Sequence, residues 1–103
     1  MINKKLYKET LELAERNFKS FVISCSYNDN LKDILTGTER SKVISFKIDP
    51  HTLQNFKINE DDISFFILYK EKVENIVIPF ENIYSVFDDY DNPRYIFILN
   101  NKI

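Results

Sequence analysis

The hydrophobic period of this chain changes once, near residue 20, and that change divides it into a helix and a run of strands. From Asn3 to Lys19 the apolar residues Tyr7, Leu11, Ala14 and Phe18 recur at three- and four-residue spacing, with Leu6 and Leu13 flanking them on the same side. This is the stripe of an amphipathic helix that covers a core. Glu12 with Arg16 and Glu15 with Lys19 place an acid four residues before a base, which supports an exposed helical face by roughly 0.3–0.5 kcal/mol per pair. Beyond residue 20, Phe21, Ile23, Cys25 and Tyr27 alternate with Val22, Ser24 and Ser26, the two-residue repeat of a half-buried strand.

The same repeat returns along the rest of the chain. Residues 28–41, beginning with the break Asn28-Asp29-Asn30 and containing the sole glycine, Gly37, read as the longest loop. Ile44, Phe46 and Ile48 then oppose Val43, Ser45 and Lys47 in a second strand. Asp49-Pro50 predicts a short helix to Asn55, because Asp caps free N–H groups and proline at the first helical position has none to waste; Leu53, Phe56 and Ile58 are its expected anchors. Glu60-Asp61-Asp62 reads as a solvated turn before a strand over residues 63–70, and Lys70-Glu71-Lys72 as the tip of a hairpin leading into residues 73–79. That tip lacks the glycine or asparagine that usually marks its turn type. Pro79 to Asn82 makes a corner, since proline cannot donate to a sheet ladder; strands over 83–87 and 94–99 follow, separated by a polar turn from Asp88 to Pro93. One helix followed by about six short strands, with no βαβ alternation, predicts a single mainly β domain over residues 1–103: a strongly bent antiparallel sheet or partly open small barrel with the N-terminal helix against it.

Composition narrows the chemistry. A chain of 103 residues that is 44% hydrophobic and 15% aromatic has enough apolar side chain for one packed core. A net charge of −2 offers no general attraction for phosphate. Residues 1–42 hold eight Lys/Arg against six Asp/Glu, and residues 43–103 six against ten, so the second half is the acidic one. The single cysteine forms no internal disulfide, which suits a reducing, cytoplasmic setting. No leader pattern and no apolar run of membrane-spanning length is visible.

Enzymatic motifs are not apparent. His51, the only histidine, has no second histidine or cysteine partner with metal-ligand spacing, and Cys25 shares the side of Phe21 and Ile23, as a buried thiol would. The carboxylates at 60–62 and at 88, 89 and 91 fall in turns and do not match a calcium-loop pattern. One glycine cannot build a phosphate-binding loop. No cofactor, metal or catalytic residue is expected. Basic and aromatic residues interleave at Lys42, Phe46 and Lys47 and at Tyr69, Lys70 and Lys72, the combination used by single-strand nucleic-acid binders; the acidic balance and the strand alternation make nucleic acid a poor fit. In the strand over 63–70 both faces are apolar, with Ile63, Phe65, Ile67 and Tyr69 on one and Phe66 and Leu68 on the other. Such a strand is either buried on both sides or lines an apolar groove for an extended peptide.

Between Ile44 and Phe87 an ordered set of elements is similar to the stringent starvation protein B (SspB) family, adaptors that bring tagged proteins to the ClpXP protease. The set comprises a strand ending Ile48-Asp49-Pro50, then Leu53 and Phe56, the turn Asp61-Asp62-Ile63 with Phe65, and a strand ending Ile78-Pro79-Phe80. The preceding helix and the ending at Phe87-Asp88 resemble the shorter, alphaproteobacterial-type members. The resemblance implies an Sm-like bent sheet, usually dimeric, with no catalysis. It implies a groove for the peptide tag that transfer-messenger RNA appends to stalled translation products, and a tail that docks on ClpX.

Carried onto this chain, the groove falls on Phe46, Lys47 and Ile48 and on Phe65, Phe66, Ile67, Leu68 and Tyr69. Phe65 and Tyr69 match family positions that are commonly phenylalanine. Ile67 replaces a frequent alanine, and Lys70-Glu71 replaces a glycine pair; no ClpX-docking tail is visible beyond Asn100. The alternative expectation is an Sm-like module that binds RNA or another protein partner.

Overall fold

In a computed structural model, residues 3–35, 43–89 and 91–100 are described, without the side chains of Asn30, Lys32 and Asp33. Helix α1 runs from Lys4 to Asn17. The side chain of Asn3 accepts from the Leu6 N–H at 3.1 Å and so satisfies one of the free donors of the first turn. Tyr7, Thr10, Leu11 and Ala14 form the buried arc. Leu6 and Leu13 are exposed, contrary to their predicted place beside it; at about 100° per residue they lie one residue step off the centre of the stripe. The helix stops before Lys19, so that residue is outside it, and Arg16 Nε turns to the Glu12 carbonyl at 3.4 Å.

Strand β1 (Phe21–Ser26) lies between β2 (Val43–Ile48) and β6 (Ile83–Phe87), and β7 (Ile96–Ile98) completes a four-stranded antiparallel sheet of order β2-β1-β6-β7. A second sheet has the order β3-β4-β5, built from Lys57–Ile58, Asp62–Tyr69 and Lys72–Pro79. The chain is thus mainly β with an N-terminal helix, as expected, and its two sheets do not close into a barrel. Their inner faces meet: Phe21, Ile23, Cys25, Phe46, Ile48 and Val86 from one pack with Ile63, Phe65, Ile76 and Ile78 from the other, beneath α1. Each such side chain contributes roughly 1.5–3 kcal/mol when fully buried. Tyr7 stacks on Phe80 with 5.7 Å between ring centroids, and its hydroxyl donates to the Leu99 carbonyl at 3.2 Å. Lys4 pairs with Asp61, and Lys8 with Glu60 at 3.2 Å, which fastens the helix to the turn before β4. No helix among the described residues is long and apolar enough to cross a membrane.

Two predicted segments differ. Residues 29–34 of the expected long loop form a short helix, α2 (Asp29–Ile34), because Asn28 caps it by accepting from Leu31 N at 3.0 Å instead of ending the chain's order. Leu31 and Leu35, one turn apart, are buried; residues 36–41 lie outside the described ones. The expected helix after Pro50 is a series of turns. Asp49 holds it by accepting from His51 N through its carboxylate and from Thr52 N through its carbonyl, and Asn55 ends it at φ 52°. Leu53 is 97% exposed and anchors nothing, whereas Phe56 is buried against Phe21 and Phe65.

A two-residue turn joins β4 to β5, with Tyr69 opposite Lys72. Lys70 and Glu71 take φ 48° and 66°, the left-handed pair of a mirror-image hairpin turn. The missing glycines therefore do not abolish the hairpin, at a cost of about 1 kcal/mol for each such residue.

Candidate functional site

The two segments singled out from the sequence come from different sheets and meet where those sheets adjoin. β2 is an edge strand whose strand neighbour among the described residues is β1. β4 pairs with β5 along its whole length, but with β3 only at Ile63 and Ser64. Between the two edges stands Gln54. Its side-chain amide donates to the Lys47 carbonyl at 3.2 Å and accepts from Asp49 N at 2.7 Å, while its backbone carbonyl accepts from Phe66 N at 2.7 Å. One donor and one acceptor on the same planar group is what a strand's peptide unit presents to a neighbour, so Gln54 acts as a one-residue seam.

The seam engages Lys47 on β2 and Phe66 on β4. Groups pointing to one edge of a strand recur every second residue. The backbone N–H and C=O of Ser45 therefore face the same way as those of Lys47, and those of Leu68 the same way as those of Phe66. Neither residue has a backbone partner on that edge among the described residues. Exposed strand edges of this kind are templates for another strand.

Beneath the seam Phe46 and Phe65 meet edge to face, with ring centroids 5.2 Å apart. Both are buried, as is Ile48, so these three side chains form a floor and not an accessible lining. Ile67 and Tyr69 continue the same face of β4, half-buried against the core toward the hairpin tip. Lys47 lies on the opposite, outer face of its sheet, across from Val22. Phe66 and Leu68 lie on the outer face of theirs, where Leu68 is 75% exposed opposite an exposed Val73. The eight expected residues are thus neighbours in backbone but divided by face. Gln54 and Ser45 were missed; Gln54 is an isolated polar residue in a turn, and its bonds to two strands leave no mark on periodicity.

Other chemistry is limited. Cys25 is fully buried, and desolvation pushes its thiol up to about 12, which keeps it protonated and unreactive. Asp88 Oδ1 accepts from Tyr95 N at 3.1 Å and Arg94 N at 2.9 Å, and these bonds hold its carboxyl below the usual range. Asp88 also borders a hollow of about 360 Å³ with Ser20, Val22, Lys47, Asp89 and Asp91, but it is occupied in shaping its own turn. Among the described residues no three His, Cys, Asp or Glu side chains gather as metal ligands do. The basic–aromatic interleaving is split at Phe46 and Lys47, since the ring is in the core; at the hairpin tip Lys70 Nζ lies 5.4 Å from the Tyr69 ring centroid. Lys42 is outside the described residues. Compared with protein-family models, curated proteins and solved structures, the chain finds no match.

Proposed function

We propose that this chain is an SspB-like, non-enzymatic, cytoplasmic tag-binding protein that takes an extended peptide along the open edges of β2 and β4. The peptide is the degradation tag appended to stalled translation products, and the outcome is their delivery to ClpXP. The observation that supports this reading is the Gln54 seam, which brings the edge of β2 at Lys47 and the edge of β4 at Phe66 within one residue's reach beside the Phe46–Phe65 ring pair. Those edges belong to the two segments to which the resemblance assigns the groove. An added strand bonds to both edges, and its inward side chains meet Ile67 and Tyr69. Ile67 replaces a smaller residue of the resembled family and so narrows the space for one ligand side chain. Tethering then raises the substrate's effective concentration at the protease with no bond made or broken. Association of two copies is part of the same proposal.

Titration with a fluorescent tag peptide tests it. Saturable binding is expected below about 1 mM, a free energy of about −4 kcal/mol or better. Ile67→Asp is expected to weaken it at least about tenfold, roughly 1.4 kcal/mol, while circular dichroism stays unchanged. No saturation at 1 mM sinks the proposal.

A further inference from the structure

We propose that Glu74 makes the groove select peptides bearing a lysine or arginine at one fixed position, an inference that rests on the peptide-binding reading above. The cross-strand register places Glu74 directly opposite Ile67, on the core-facing side of the β4–β5 hairpin. Along that face the pairs are Ile63 with Ile78, Phe65 with Ile76, Ile67 with Glu74, and Tyr69 with Lys72. Apolar pairs fill the buried end, and the first charge met on the way to the tip is Glu74. It is half-buried, and no cation or hydrogen-bond donor among the described residues pairs with it.

A carboxylate in partial contact with apolar neighbours, and with no partner of its own, is stabilised by any cation brought beside it. A strand laid along the Leu68 edge sends alternate side chains toward the Ile67–Glu74 pair. A long basic side chain there lays its methylenes on Ile67 and its charge on Glu74. The opposing charges are Lys72, exposed and one pair nearer the tip, and Lys70 at the tip itself; solvent screens both more strongly than it screens Glu74. Glu71, also at the tip, offsets them.

The test uses fluorescent tag-length peptides in which lysine, norleucine or glutamate is scanned singly through each position, titrated against the full chain. At one position lysine is expected to bind about tenfold more tightly than glutamate, in the range of charge-pair effects at interfaces. Glu74→Gln removes that preference and leaves norleucine binding unchanged, and Glu74→Lys reverses it. Thermal denaturation of both variants checks that the fold is kept; a substitution that unfolds the chain is replaced by Glu74→Ser. Peptides that bind with no position-specific charge preference, or with one that survives Glu74→Gln, overturn this inference and leave the peptide-binding reading standing. Failure of every peptide to bind overturns both.

Discussion

Asp88 shows how much a single side chain can organise in a chain with one glycine. Its carboxylate receives the backbone N–H groups of Tyr95 and Arg94 and so starts β7 in line with β6. Because the folded form holds this carboxyl below its ordinary value of 3.8, its contribution to stability is present above that pH and is lost as the pH falls through the folded value. Asp88→Asn keeps an acceptor oxygen but not the charge. It should therefore be less stable than the parent at pH 7, and the difference should shrink as the pH is lowered below 3.8, by urea denaturation at each pH. A difference that does not change with pH assigns the effect to geometry instead of charge. The buried character of Cys25 and the structural role of Asp49 were legible as residue types in a pattern. The exposure of Leu53 was not, because an apolar residue in a turn carries no period from which its side can be read.

At the level of elements, the hairpin β4–β5 carries the open edge, and its tip is strained. Replacing Lys70-Glu71 by Asn-Gly supplies residues suited to φ above zero. The change should raise stability by about 1–2 kcal/mol, measured as a higher urea midpoint at constant slope. A lower midpoint contradicts the mirror-image turn. Strand and helix identities followed from the change of period near residue 20: α1 keeps the buried stripe Tyr7, Leu11 and Ala14, whereas β1, expected to be half-buried, is buried on both faces from Phe21 to Cys25. Two elements escaped for physical reasons: β3 has two residues, too few to alternate, and α2 has six, with one turn of apolar spacing. A cap at Asn28 and a break at Asn28 also look the same in sequence, since both use a side chain that bonds the local backbone.

Over the whole molecule, two sheets share one core and leave a gap in hydrogen bonding between β2 and β4 that, among the described residues, Gln54 crosses. The fold class was readable because core burial dictates alternation. The division of the expected groove residues between floor, rim and outer faces was not, because it depends on how the sheets adjoin. The central claim, that an extended peptide completes this gap, is tested most directly by amide hydrogen exchange with and without saturating tag peptide. The account predicts that the Ser45 and Leu68 amides, which have no backbone partner among the described residues, become protected together while the outer strand β7 is unchanged. Saturable binding that leaves both amides exchanging at their free rates, or that protects β7 instead, contradicts it.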